Sequence, residues 1–299
     1  MRIVMSGASG MIGTALTTLL LASGHDVVKL VRRPPRAPEE HSWDPSAGIL
    51  DESVLDGADA VVNLSGAGIG DRPWTRARIK ALHDSRILPT RTLAAAMGRV
   101  GRPPRAFISQ SASGYYGASR DQVLTEDSAP GTGVLAPLCV QWEAEARKAP
   151  DSVRVVTPRT GVILSPSGGA LGPLLPLLRA GLGGPFGNGR QYWPWITLAD
   201  EAAALAFLIT AELEGPVNVC APGLADVNTI VSRLAGAFHR PALLRVPGPA
   251  LRLVLGGLAD ELILANQAMD PGRLAGAGFQ WKHPSLSEAM PWLVAEAKR

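Results

Sequence analysis

The first 24 residues constrain this chain more than any other stretch. An apolar run, Arg2 to Ser6, leads directly into Gly7-Ala8-Ser9-Gly10-Met11-Ile12-Gly13, and Met11 to Ala22 then carries helical spacing that stops at Ser23-Gly24. Glycines at G-x-x-G-x-x-G spacing let the backbone turn sharply and approach a pyrophosphate, which the free N–H groups of the following helix then face. A glycine triplet alone is a weak signal and fits a plain turn. Its place between a strand and a helix makes dinucleotide binding the stronger reading, with Gly7, Ser9, Gly10, Met11, Ile12 and Gly13 as the contact residues.

The rest of the N-terminal half continues the pattern. Apolar, β-branched runs recur at Asp26–Val31, Ala58–Leu64, Ala106–Ser109 and Val153–Thr157, separated by helical stretches. Strands that are apolar through most of their length belong to a parallel sheet covered on both faces. The expected fold is therefore α/β, a Rossmann-type doubly wound parallel sheet over residues 1–160 that binds a dinucleotide. From about Gly161 the composition turns to glycine- and proline-rich loops, including Ser165-Pro166-Ser167-Gly168-Gly169 and Gly181-Leu182-Gly183-Gly184-Pro185. Helical patterns return at Leu198–Glu212, Val227–Phe238 and Pro249–Gly256, with a short strand at Val217–Val219. Residues 161–299 read as a smaller, mostly helical substrate-side domain, with part of 195–220 returning to the first domain.

Two positions refine the cofactor. After the second strand, where a carboxylate would hold the ribose hydroxyls of NAD, the chain has Arg32 and Arg33, whose guanidinium groups suit a 2′-phosphate; NADP(H) is expected over NAD(H). At the end of the third strand, Asn63-Leu64-Ser65-Gly66-Ala67-Gly68 offers an amide and small residues at the carboxyl edge of the sheet. Asn63, Ser65 and Gly66 are expected to line the adenine-ribose side, the alternative being a strand-ending turn.

Composition narrows the class. The 299 residues are 46% hydrophobic and 18% charged, and no apolar run escapes interruption by polar residues, so no membrane span is expected. The N-terminus shows no signal-peptide core, and a cytoplasmic location is expected. Cys139 and Cys220 give neither a disulfide framework nor a zinc spacing. His25, His41, His83, His239 and His283 are scattered, so no metal is expected. The net charge of +3 is dispersed, which argues against nucleic acid. Neither a G-x-x-x-x-G-K-[ST] loop nor a G-x-S-x-G elbow is present, which removes nucleoside triphosphatase and serine hydrolase readings.

Beyond the fourth strand lies the hydroxyl-rich turn Ser109-Gln110-Ser111-Ala112-Ser113-Gly114-Tyr115-Tyr116-Gly117. Taken with the glycine loop, the Asn63 strand end and Pro158-Arg159-Thr160-Gly161-Val162-Ile163-Leu164, it resembles an extended (atypical) short-chain dehydrogenase/reductase. More narrowly, the chain resembles the little-characterised NAD-dependent epimerase/dehydratase-like family with a C-terminal domain of unknown function. Arg72-Pro73-Trp74-Thr75, Ser85-Arg86, Leu124-Thr125-Glu126-Asp127, Gly187-Asn188-Gly189-Arg190-Gln191, Trp195-Ile196 with Asp200, and Asp260-Glu261-Leu262 carry that resemblance over nearly the whole length.

The resemblance implies a serine that polarises a substrate carbonyl and a Tyr-x-x-x-Lys pair that supplies the proton and holds the nicotinamide ribose. Here the sequence departs from the family. The residues four before Lys29, Lys80, Lys148, Lys282 and Lys298 are His25, Arg76, Ala144, Gly278 and Val294, so the pair does not occur. Its expected place, before Trp142-Glu143-Ala144-Glu145, holds Leu135 and Cys139; Tyr116-x-x-x-Arg120 has the spacing but falls too early in the chain. Ser111 is the candidate carbonyl donor, with Ser109 and Ser113 as alternatives, and Tyr115 or Tyr116 the candidate acid. By the resemblance, Arg159, Arg190, Trp193, Trp195 and Asp200 face a substrate cleft, with Arg159, Arg190 and Trp195 as substrate contacts. Two functions follow: an NADP(H)-dependent oxidoreductase or epimerase-like enzyme acting on a small carbonyl, hydroxyl or sugar-derived substrate, or a non-catalytic NADP(H)-binding sensor or partner protein. A homodimer is compatible with either.

Overall fold

The computed structural model describes residues 1–172, 174–181 and 183–298. Leu182 and the side chains of Ser119, Arg120 and Asp121 lie outside the described residues, and with them the Tyr116-x-x-x-Arg120 spacing.

The chain forms two compact units that interleave along the sequence. The first comprises Met1–Ala112, Leu138–Arg159 and Ala202–Val217; the second comprises Ser113–Pro137, Thr160–Glu201 and Asn218–Arg299. From the sequence a boundary falls near residue 160, with part of 195–220 returning to the first domain; in the structure residues 113–137 also belong to the second unit, and residues 202–217 lie in the first.

The first unit is organised on a sheet of β1 (Arg2–Ser6), β2 (Asp26–Val31), β3 (Glu40–Ser42), β4 (Ala60–Asn63), β5 (Ala106–Ser109), β6 (Arg154–Thr160) and β7 (Gly215–Val219). Its order is β7-β6-β5-β4-β1-β2-β3, and a short strand at Ser111–Ala112 pairs with β6. The ladders from β3 through β6 are parallel, in a register that sets Ile3 beside Val27 and Ala60, and Ala60 beside Ala106. The connection order reverses between β1 and β4, the point at which such sheets open a crevice at their carboxyl edge.

Helices α1 (Met11–Ala22), α2 (Arg76–Met97), α3 (Leu135–Ala146) and α4 (Leu198–Thr210) follow strands, and the chain passes between units inside α3 and α4. In α1 the buried residues are Gly13, Leu16, Thr17 and Leu20, the i, i+3, i+4, i+7 stripe that packs a helix on a sheet. Gly24 ends it with φ +75°. Val4, Val28, Val61, Leu93, Met97 and Phe107 join one core cluster, so the β-branched runs visible in the sequence are buried inside the unit.

The second unit carries its own core, which includes Leu164, Leu178, Trp193, Trp195, Val227, Leu234 and Leu293. Besides helices at Val227–Ala237, Gly248–Leu255 and Leu286–Glu296 it holds a three-stranded and two two-stranded sheets. Among the described residues no helix is long and apolar enough to cross a membrane.

Candidate functional site

The loop after β1 is a cradle that only glycine permits at two places. Gly7 has φ +73°, and a Cβ there would stand 2.5 Å from the Leu64 carbonyl oxygen; at Gly13 a Cβ would stand 2.2 Å from the Gly7 oxygen. Small residues thus press the loop against the ends of β1 and β4. Gly10 is the N-cap of α1 and supplies no side-chain cap. The first-turn amides therefore lack the usual capping hydroxyl or carboxylate and are left for an anion, with the helix dipole adding to the attraction. Ser9 and Gly10 are exposed, Met11 and Ile12 partly so. The loop fits a dinucleotide pyrophosphate.

The two arginines beyond β2 are not equivalent. Arg33 donates to Glu40 from Nη1 at 2.7 Å and from Nη2 at 2.6 Å, and to the Pro34 carbonyl. The bonds from Arg33 hold the Glu40 carboxyl down at about 2. Its fork is thus taken within the protein, whereas Arg32, the other arginine expected at a 2′-phosphate, is exposed and has no hydrogen-bond or ion-pair partner among the described residues.

Asn63, expected to face the adenosine, is fully buried and acts inward. Its Oδ1 accepts from the Ser6 hydroxyl at 2.7 Å and its Nδ2 donates to Thr90 Oγ1 at 2.8 Å, while Trp142 Nε1 donates to the same Thr90 oxygen at 2.9 Å. This network ties the carboxyl ends of β1 and β4 to α2 and α3. The Ser65 hydroxyl donates to Ser6 Oγ, which leaves the exposed Gly66 as the member of the trio at the surface.

Ser111 is buried, and its hydroxyl donates to Glu143 Oε1 at 2.8 Å. Arg159 grips the same carboxylate, Nε to Oε1 at 2.8 Å and Nη2 to Oε2 at 3.0 Å, with side-chain exposures of 3% and 2%. Arg147 stands 3.8 Å from Oε2. Arg159, expected to meet substrate, is instead an interior counter-ion, because a buried carboxylate needs a paired cation. Cys139, one turn before Glu143 on α3, is buried, and burial pushes its thiol up to about 12. It supplies neither a lysine's charge nor a nucleophile.

In the second unit, Tyr116 is fully buried and donates to Asn218 Oδ1 at 2.5 Å. Asn218 in turn donates to the carbonyls of Leu124 and Asp270 and gives its backbone N–H to Glu126. Tyr116 is thereby a structural residue. Tyr115 is partly buried, with its ring edge-on to that of Tyr116 at 5.3 Å. Trp195 is a core residue, 1% exposed, with Nε1 donating to the Gly223 carbonyl. Trp193 is also buried and donates to the Ile263 carbonyl. Asp200 accepts the backbone N–H groups of Lys282 and His283, pinning that segment. Of the residues expected at a cleft, Arg190 is the exposed one. Among the described residues no cluster of histidine, cysteine or carboxylate side chains is arranged to hold a metal.

Glu143 and Asn218 anchor candidate site residues, and sequence reasoning gave neither a role. The local signal for the first, a carboxylate among the apolar residues of Leu135–Ala146, is weak because Gln141 and Glu145 share that helix. Nothing local marks Asn218.

The sequence matches the family described as NAD dependent epimerase/dehydratase over residues 3–220, and a domain of unknown function over residues 246–293. It is 44% identical to the epimerase family protein Mb2239 of Mycobacterium bovis over 290 residues, 96% of each chain. It is 37% identical to the epimerase family protein SDR39U1 of Bos taurus over 300 residues, 99% of this chain and 100% of that one. The crystal structure of human SDR39U1 with NADPH superposes with a TM-score of 0.90 at 34% identity, covering 99% of both chains.

Proposed function

Since this chain belongs to the NAD-dependent epimerase/dehydratase family, we propose that it is an NADP(H)-dependent oxidoreductase or epimerase-like enzyme acting on a small carbonyl, hydroxyl or sugar-derived substrate. One observation carries the cofactor choice: Arg32 stands exposed, without a partner among the described residues, after β2, where the ribose of a dinucleotide on the glycine cradle is read. The human relative solved with NADPH supports it. When bound, the dinucleotide supplies or accepts the hydride. The amides at the start of α1 hold its pyrophosphate, and Arg32 holds the 2′-phosphate.

Ser111 is the hydroxyl of this reading, with a changed role. Its proton is committed to Glu143, so only its lone pairs remain for a ligand, and it accepts from a substrate hydroxyl rather than donating to a carbonyl. Glu143, fixed by Arg159, sets that polarity. With Tyr116 committed to Asn218, Tyr115 is the tyrosine that transfers the proton.

The test is cofactor turnover with a panel of carbonyls, alcohols and nucleotide sugars, comparing the native protein with Ser111→Ala and Tyr115→Phe. Turnover that both variants lower at least tenfold supports the reading. Zero turnover on the panel, with NADPH still bound, favours a non-catalytic NADP(H)-binding sensor, a second reading motivated by the inward commitment of Ser111 and Tyr116.

A further inference from the structure

The segment Gly66–Ile69, beyond the carboxyl end of β4, is held by a group of side chains that the cofactor reading leaves unused. Ser85 Oγ accepts the Ala67 N–H at 3.0 Å, and Trp74 Nε1 donates to the Ile69 carbonyl at 3.0 Å. Two guanidinium groups complete it. Arg86 donates to the Ala67 carbonyl at 3.1 Å, and Arg78 donates to the Gly68 carbonyl.

Carbonyl bonds alone do not account for two arginines. A neutral amide or hydroxyl satisfies a carbonyl, whereas a buried charge needs a counter-charge. Arg86 is 7% exposed, lies over the Trp142 ring at 5.3 Å, and has no carboxylate within ion-pair distance among the described residues. It makes three hydrogen bonds, to Leu82 O, Ser85 Oγ and Ala67 O, so two of its five N–H groups have no protein acceptor among the described residues. Arg78 has an Nε buried without an acceptor. The carboxylate nearest to it, Asp71, is mostly exposed and 3.8 Å away. The two guanidinium groups donate to consecutive carbonyls, those of Ala67 and Gly68, and burial above all, with a smaller push from Arg78, holds the Arg86 guanidinium below its ordinary value. Arg86 also packs closely on the segment, since a Cβ on Gly66 would meet its guanidinium carbon at 3.2 Å.

We propose that Arg78 and Arg86 form a binding site for a phosphate or diphosphate oxyanion carried by a ligand entering at the carboxyl edge of β4. Guanidinium forks match phosphate oxygens in geometry and charge, and an anion here counters the buried charge while satisfying the spare donors. The anion comes from the dinucleotide or from the substrate, and only this last point rests on the cofactor reading above.

The experiment is calorimetric titration of the full chain with inorganic pyrophosphate, free and saturated with NADPH, for the native protein, Arg78→Gln, Arg86→Gln and Arg86→Lys. Each glutamine variant is expected to weaken pyrophosphate binding roughly ten- to a hundredfold, the range of one charged hydrogen bond. Arg86→Lys, which restores the charge without the fork, is expected to recover part of that loss. A merely structural staple would show no recovery with lysine. Binding that depends on Arg78 and Arg86 and persists in the NADPH-saturated protein assigns the anion to the substrate. Binding that depends on these arginines and is abolished by NADPH assigns it to the cofactor, and pyrophosphate held on the α1 amides is told apart because the arginine variants leave it unchanged. Absence of pyrophosphate binding to the native protein overturns the proposal, as does unchanged affinity in Arg78→Gln, or lysine as weak as glutamine at position 86. A native protein that binds NADPH but not pyrophosphate overturns this site alone, whereas one that binds neither overturns the cofactor reading as well.

Discussion

Replacing Glu143 by leucine tests the interior of the site quantitatively. The substitution leaves the Arg159 guanidinium, 3% exposed, without its carboxylate and removes the acceptor of the Ser111 hydroxyl. Breaking a buried pair from one side costs about 3–5 kcal/mol, because an uncompensated charge stays in a low-dielectric interior. At roughly 2–4 °C per kcal/mol for a protein of this size, the midpoint of thermal unfolding falls by about 6–20 °C. Arg159→Leu leaves the carboxylate only the Ser111 hydroxyl and Arg147 at 3.8 Å, and is expected to cost somewhat less than Glu143→Leu. The double variant Glu143→Leu/Arg159→Leu removes both charges, and is expected to lie within about 2 kcal/mol of the native protein, far from the sum of the singles. Urea unfolding followed by circular dichroism and tryptophan fluorescence measures all four proteins, with coincident transitions checking that one free energy describes each. Additive losses in the double variant, or a loss below about 1 kcal/mol in Glu143→Leu, would refute the account of this pair.

Other expectations follow from single contacts. Gly13→Ala puts a methyl 2.2 Å from the Gly7 oxygen and 2.7 Å from the Ala8 Cα, so the cradle must open; NADPH affinity should fall more than tenfold while secondary structure measured by circular dichroism persists. Both cysteines are buried, and burial raises both thiols, so native protein should react slowly with a disulfide reagent, with both thiols appearing on addition of denaturant. Burial raises the Glu126 carboxyl above its ordinary value despite the Asn218 N–H bond. The folded state then holds a proton that the unfolded state has released, so stability falls as pH rises from the ordinary glutamate pKa of about 4.3 through the raised one. Glu126→Gln keeps an acceptor without the charge and should flatten stability against pH in that window.

The parallel sheet and the cradle were legible because their causes are local. β-branched runs buried on both faces, a loop that needs glycine at φ +73°, and an i, i+3, i+4, i+7 stripe on α1 all leave a mark in consecutive residues. The roles of polar side chains were less legible, because they are set by partners distant in sequence. Arg33 and Arg32 are neighbours, and only the position of Glu40 across the β2–β3 connection decides which of them is free. Arg159 looked like a substrate cation until Glu143, sixteen residues earlier on α3, claimed both ends of its fork. Asn63 and Tyr116 sit where ligand contacts were expected, yet Thr90 and Asn218 turn them inward. The missing Tyr-x-x-x-Lys was plain in the sequence; that Cys139 is a buried, inert thiol needed the packing.

The cofactor claim is tested most directly by calorimetric titration of the native protein and Arg32→Ala with NADPH and NADH. The account expects the native protein to bind NADPH at least tenfold more tightly than NADH, and Arg32→Ala to lose most of that preference while keeping its affinity for NADH, since one charged contact to a phosphate is worth about 1.5–3 kcal/mol before solvent screening. Equal affinity of the native protein for the two cofactors, or a preference that survives Arg32→Ala intact, would contradict it.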